Sequence, residues 1–253
     1  MKRNIKLLIE YDGTNYAGWQ KQKNALTIQQ VLEEAIKKVT KENIEVIGCS
    51  RTDAGVHARG FIANFFTESS IPGDKFKYAI NSKLPDDIVI LLSEETEIDF
   101  HSRYSSEGKK YCYTILNREE KVVIGRNYLY NFSPKLDLNL MIEGSKYFLG
   151  THEFDSFRKT GSSVKTTRRT IYSLRIIKNE DIIKFIICGD GFLYNMVRIM
   201  VGTLLDVGTG KIKPDHIKDI ILAKNRLETK KCVPAKGLCL EEVFFNKEKL
   251  KEI

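Results

Sequence analysis

The chain has little of what would tie it to several common chemistries. Its five cysteines (Cys49, Cys112, Cys188, Cys232 and Cys239) are widely spaced, form no CxxC pair, and in three cases fall in strand-like apolar runs. Such spacing reads as reduced core thiols, not a disulfide framework or zinc ligands. Only four histidines occur in 253 residues, with no HxxxH spacing and no His/Cys cluster, so neither metal nor metal chemistry is expected. No stretch approaches the roughly 18 apolar residues of a membrane span, and Met1-Lys2-Arg3-Asn4 lacks the apolar core of a secretory signal. A soluble, cytoplasmic protein is expected. An acidic excess is missing too. Against 33 Asp and Glu stand 41 Lys and Arg, a formal charge of +8, which favours a polyanionic partner without requiring one.

What is present is ordinary in amount and informative in order. A hydrophobic content of 42% over this length suits one large domain or two small ones sharing a core. Strand-like runs occupy Ile5 to Tyr11, Ile44 to Cys49, Phe61 to Phe66, Ile88 to Leu92, Lys110 to Leu116, Ile171 to Lys178, Ile182 to Cys188 and Leu238 to Phe245. Thr27-Ile28-Gln29-Gln30 fits a capping box, after which Ile28, Val31, Leu32, Ala35, Ile36 and Val39 recur at helical spacing. Further helices are predicted from Phe192 through Asp206, from Pro214 onward, and around Lys75 to Asn81 and Leu138 to Phe148. Strands adjacent in sequence, such as the pair joined by Asn179-Glu180-Asp181, predict antiparallel pairing. The expected class is therefore α+β, a mixed, mainly antiparallel sheet flanked by helices. Each half of the chain holds strands around a strong helix, which permits two related α/β halves, 1–104 and 105–253.

The segment Arg51-Thr52-Asp53-Ala54-Gly55-Val56-His57-Ala58 concentrates chemistry. It sets a carboxylate beside a guanidinium in a short loop with a permissive glycine, directly after an apolar run, which is how a nucleophile is presented to a cleft. An Asp before Ala-Gly can also simply cap its own turn. Lys109-Lys110-Tyr111-Cys112-Tyr113 reads as a strand with two tyrosines on one face, where a ring could stack on a flat base or pack against a neighbour. Gly189-Asp190-Gly191 precedes a predicted helix with Arg198 in its second turn. A guanidinium among so many apolar residues needs an anionic partner, and Asp53 is the one the reading selects. Arg158, Lys159, Lys165, Arg168 and Arg169 crowd one stretch, interleaved with Thr and Ser that can donate to phosphates; a solvated loop would look the same.

Taken in order, Glu10-Tyr11-Asp12-Gly13, Tyr16-Ala17-Gly18-Trp19-Gln20, Thr27-Ile28-Gln29, Arg51 to Ala58, Phe100-His101-Ser102-Arg103, Lys110 to Tyr113, Gly150-Thr151-His152-Glu153-Phe154, Gly191 to Arg198 and Pro234-Ala235-Lys236-Gly237-Leu238 resemble the tRNA pseudouridine synthase A family. The resemblance spans Glu10 to about Leu240. It implies an isomerase that converts uridine to pseudouridine in the anticodon arm of tRNA, at positions 38 to 40, without cofactor or metal. It implies Asp53 as the nucleophile, Tyr111 as the tyrosine that contacts the base, Arg198 as the ion-pair partner of the acid, and Arg51 as an arginine that handles the flipped nucleotide. It also implies the pseudouridine synthase fold and a homodimer laid along the tRNA. His57 and the basic residues from Arg158 to Arg169 are expected to touch the RNA. Two departures bear on that grip: Ser50 stands where the family usually has Gly, and Lys109 and Lys110 replace arginines, keeping charge without the bidentate fork.

The reaction this implies breaks a glycosidic C–N bond, turns the uracil in place and forms a C–C bond, with no net redox change. An ionised Asp can act as nucleophile or as base, and the residues leave open attack at the sugar, attack at the base and removal of a sugar proton. Two rivals belong to other classes. A tRNA-binding protein without activity has no use for Asp53 and Arg198 together. A nucleoside or glycoside hydrolase would show a second carboxylate paired with Asp53, and Glu45 and Glu68 lie in or beside other strands.

Overall fold

A computed structural model describes residues 1–159, 166–229, 231–246 and 249–250. The chain divides into two compact units, one comprising Met1–Glu107 with Leu240–Asn246, the other Gly108–Cys239 with Lys247–Ile253. Both carry a largely antiparallel sheet with helices, the expected α+β class.

In the first unit, β1 (Arg3–Tyr11) lies between β3 (His57–Thr67) and β4 (Ile88–Thr96), antiparallel to both, with Leu7 opposite Ala63 on one side and Ser93 on the other. β10 (Leu238–Phe244) neighbours β3. Alternation explains the layering: Ile5, Leu7 and Ile9 of β1 and Phe61 and Phe65 of β3 are buried on one face, where Phe65 meets Phe76 of α2 (Phe76–Asn81) edge-on at 5.5 Å and α2 in turn contacts α1 (Ile28–Thr40). Each large apolar side chain so enclosed contributes ~1.5–3 kcal/mol. α1 buries Ile28, Leu32, Ala35 and Ile36 of the stripe its spacing predicted, while Val31 and Val39 are half-buried. Only half of the capping box forms. The Thr27 hydroxyl accepts from the Gln30 amide N–H, but the Gln30 side chain donates to Glu34 and does not return to Thr27.

The strand expected from Ile44 to Cys49 shrinks to β2 (Ile47–Gly48), paired with β3 at Asn64 and Ala63. The cause lies in α1. The N–H of Val46 donates to the Glu33 carboxylate and its carbonyl accepts from the Gln29 amide, so side chains occupy the groups a ladder would need.

In the second unit, the strand order is β5 (Gly108–Leu116), β9 (Ile182–Gly189), β8 (Arg168–Asn179), β7 (Gly150–Glu153), each antiparallel to its neighbour, with β6 (Tyr130–Asn131) parallel to β5. β6 and β7 are absent from the sequence expectation because runs this short carry no periodicity. α3 (Leu138–Ser145) packs against α4 (Met196–Gly208), followed by α5 (His216–Ala223). The core holds Phe148, Phe154, Phe157, Phe185, Met200 and Leu204.

α4 begins four residues later than its hydrophobic pattern predicts. Asn195, its N-cap, sits in the left-handed region at φ 63°, and Met196 N–H closes a turn onto the Leu193 carbonyl. Arg198 is thereby in the first turn of the helix instead of the second.

Candidate active site

Asp53 stands on the loop between β2 and β3. Its neighbours Thr52 and Val56 are buried, while Asp53 is half-buried and Arg51 exposed. The Val56 N–H donates to the Asp53 carbonyl, closing a turn whose corner is Gly55 at φ +76°. A second loop, Asp12 to Gln20, holds this turn from behind. Trp19 N–H donates to the Thr52 carbonyl and Gly55 N–H to the Tyr16 carbonyl. Gly18, at φ +88°, lies against the Thr52 carbonyl and the Asp53 backbone so closely that a Cβ would collide with them, and Gly13 meets the Val56 backbone in the same way. The tyrosines brace it from below: the Tyr11 and Thr52 hydroxyls pair in the interior, and Tyr16 donates to Asp87 Oδ1 at 2.6 Å. Burial first, then that bond to Asp87, pushes the Tyr16 phenol above its ordinary pKa, so it stays a donor at neutral pH. Trp19 stacks on Phe61 at 4.0 Å.

His57 is 5% exposed at the start of β3. Its Nδ1 lies 3.1 Å from the Gly13 N–H and 3.0 Å from Asp12 Oδ1. These are alternatives on one atom. With the proton on Nε2 the Nδ1 lone pair accepts from Gly13; with Nδ1 protonated it donates to Asp12. In either state the ring ties β3 to the turn at Asp12 and Gly13, and so to the backing of the Asp53 loop.

In the second unit, Tyr111 on β5 faces Ile187 of β9 across the ladder and is 5% exposed, its ring edge-on to Phe192 at 5.2 Å. Tyr113 is fully buried and donates to the Pro234 carbonyl at 2.7 Å. Burial raises its pKa, against the opposing influence of the Arg198 charge. Arg198 is half-buried. Its Nε donates to the Val233 carbonyl and its Nη1 to Asn195 Oδ1, both at 2.8 Å, while Val233 N–H donates to the Arg198 carbonyl. The guanidinium is thus oriented by the residue that caps its own helix and by the Val233 segment alongside.

The basic stretch is less uniform than its composition. Arg158 pairs with Asp155 at 3.4 Å. Lys159 is exposed, with its ammonium 5.5 Å from the Tyr194 ring. Arg168 is exposed on β8, whereas Arg169 is half-buried beside Gly191, with Nη1 donating to the Thr166 and Arg168 carbonyls; burial lowers its pKa. Arg168 and Arg169 are therefore strand residues. Lys165 lies outside the described residues. No group of three or more His, Cys, Asp or Glu among the described residues could hold a metal ion, and no helix among them is long and apolar enough to cross a membrane.

The chain matches the family described as tRNA pseudouridine synthase over residues 7–105 and 145–246. It belongs to the tRNA pseudouridine synthase family. A tRNA pseudouridine synthase A of Clostridium acetobutylicum is 56% identical over 243 residues, covering 96% of this chain and 100% of the relative. A tRNA pseudouridine synthase A 2 of Clostridium perfringens is 58% identical with the same coverage. A solved structure described as an H/ACA RNP bound to a substrate RNA containing 2'-deoxyuridine overlaps 80% of this chain and 44% of its own, at 11% identity and a TM-score of 0.38, too slight a likeness to build on. As a member of the tRNA pseudouridine synthase family the chain is an isomerase. The matched segments contain Asp53 and Arg198, and Tyr111 falls between them.

Sequence reasoning singled out Asp53 but gave no role to the residues that hold its loop. Gly13, Tyr16, Gly18 and Asp87 act through contacts distant in sequence. The visible trace was the pair of glycines in Asp12-Gly13 and Ala17-Gly18, whose spacing matches no helix or strand.

Proposed function

We propose that this isomerase converts uridine to pseudouridine in the anticodon arm of tRNA, at positions 38 to 40, with Asp53 acting as nucleophile or base on a uridine swung out of the RNA. The observation that carries the reading is the setting of Asp53: a half-buried carboxylate on a loop whose backbone is pinned by Tyr16, Gly18 and Trp19. A rigid mount is what a reacting group requires, because misplacement by about 1 Å costs up to about 100-fold in rate. The names of the relatives support tRNA as the substrate. In this reading the N1–C1′ bond breaks, the uracil turns, the C5–C1′ bond forms, the C5 proton leaves to water and N1 gains one, so the step balances without an oxidant or reductant.

Tyr111 is assigned to the extruded base and Arg198 to the support of the charged acid. Arg51, exposed beside Asp53, is assigned to the displaced nucleotide, and Lys159 and Arg168 to the phosphate backbone. The enzyme is read as a cytoplasmic homodimer.

The decisive experiment uses unmodified tRNA carrying tritium at uracil C5. The protein is expected to release label to water, and Asp53→Asn to lose release by more than about 1,000-fold while binding tRNA within a few-fold of the parent. Free uracil among the products, or full release by Asp53→Asn, would overturn the reading.

A further inference from the structure

The loop following β4 carries a feature that the reaction does not use. Tyr104 is 77% exposed, among the most exposed large side chains described. It is not loose. The His101 ring lies against it at 4.3 Å and 35°, and the Arg103 guanidinium sits 5.7 Å from its centroid. The imidazole is fixed in turn, its Nδ1 accepting from the N–H groups of Arg103 and Tyr104. The His101 carbonyl accepts from Ser105 N–H, and His101 N–H donates to the Ser105 hydroxyl.

Beneath this turn the anchoring is buried. Ser102, 0% exposed, donates its N–H to Asn64 Oδ1 at 2.9 Å and its hydroxyl to the Ile47 carbonyl at 2.6 Å. Asn4, also in the interior, donates to the carbonyls of Glu97 and Phe100. A network of buried amides and hydroxyls therefore holds up a turn whose outer surface is three flat, conjugated groups, one of them a permanent cation. Leaving so large a ring in water gains nothing for folding, since most of its area is not removed from solvent.

We propose that Tyr104, seated on His101 and flanked by Arg103, is a stacking platform for an unpaired base of the RNA substrate, with the Arg103 charge beside it for the adjoining phosphate. The proposal rests on the tRNA-modifying reading above. Unpaired bases are recognised by stacking on aromatic rings and guanidinium planes, and a preordered ring loses less entropy on binding than a mobile one. Tyr78 supplies the contrast. It is 62% exposed, with Lys75 and Lys77 near its ring, but no neighbouring ring pairs with it among the described residues, and Lys75 is engaged with Asp74.

The test measures affinity for an unmodified tRNA transcript and for a short oligouridine by fluorescence anisotropy across a salt series, with label release followed in parallel. Tyr104→Ala is expected to weaken tRNA binding about 5- to 150-fold, the equivalent of losing one stacked base, with an unchanged salt slope. Tyr104→Phe should bind within about 3-fold of the parent, and Tyr78→Ala should be indistinguishable from it. Parental affinity in Tyr104→Ala, an equal loss in Tyr104→Phe, or a reduced salt slope would each overturn the platform. If the parent binds tRNA but releases no label, the proposed reaction fails while the platform is still judged by Tyr104→Ala. If the parent releases label and Tyr104→Ala binds normally, the platform alone fails. A parent that binds neither RNA overturns both.

Discussion

The hydroxyl groups of Tyr11 and Thr52 meet at 2.8 Å in the interior, one residue before Asp53. Thr52 is 7% exposed, so removing its partner leaves a buried polar group to be satisfied elsewhere. Tyr11→Phe is expected to destabilise the protein by about 1–3 kcal/mol in denaturant unfolding. If the pair also aims Asp53, label release should slow by about 10- to 100-fold with little change in tRNA affinity. Parental turnover in Tyr11→Phe would limit the pair to a structural role.

Gly18→Ala should strike the same loop from the other side. At φ +88° an alanine is strained, and its methyl group would press on the Thr52 carbonyl and the Asp53 backbone. A cost of about 1–3 kcal/mol is expected from the backbone alone. Turnover should fall further than stability does, because the atoms displaced belong to the acid's own peptide. Comparing single-turnover rate with unfolding midpoint separates the two effects.

The exposed cations of the basic stretch should differ from the engaged ones. Lys159→Gln and Arg168→Gln are each expected to lower the slope of log affinity against log salt by about 1, with single-turnover chemistry nearly unchanged. Arg158→Gln should change the slope less, since Asp155 already faces that guanidinium. Equal slopes in all three variants would remove this stretch from the RNA contact.

Alkaline stability reports on Tyr113. Burial raises its pKa from the ordinary 10.0, so the folded chain keeps the phenolic proton that the unfolded chain releases. The associated stabilisation is complete below pH 10.0 and declines as pH rises above it, by up to about 1.4 kcal/mol per pH unit. Tyr113→Phe should lose stability at neutral pH, because the Pro234 carbonyl loses its donor. It should also show a shallower decline above pH 10.0 than the parent. Identical slopes in urea unfolding at a series of alkaline pH values would contradict the assignment.

Much of this architecture is legible in the sequence wherever one local period dominates. The stripe Ile28, Leu32, Ala35, Ile36 and the alternation in β1 and β9 each follow from one face being buried. Reading fails where side chains distant in sequence decide the backbone. Ile44 to Val46 has the composition of a strand, yet Gln29 and Glu33 take its hydrogen bonds. Phe192 to Asn195 has the composition of a helix, yet the left-handed Asn195 delays the start until Met196. Asp53 was legible as a candidate because its loop is a contiguous motif. Its mount was not, being assembled from Tyr11, Gly13, Tyr16, Gly18 and Asp87, which only the folded sheet brings to one place.

The assignment of Leu240–Asn246 to the first unit has a consequence for biosynthesis. β3 neighbours β10, and Arg59 pairs with Glu241, so the strand bordering the Asp53 loop waits for a partner translated only after all of Gly108–Cys239. Until then β3 presents unsatisfied peptide groups along the part of that margin that β2 does not cover, an invitation to mispairing. A chain stalled before Leu240 should therefore engage chaperones and resist proteases poorly, and the acid-bearing loop should gain its native protection only after Leu240–Asn246 has been made.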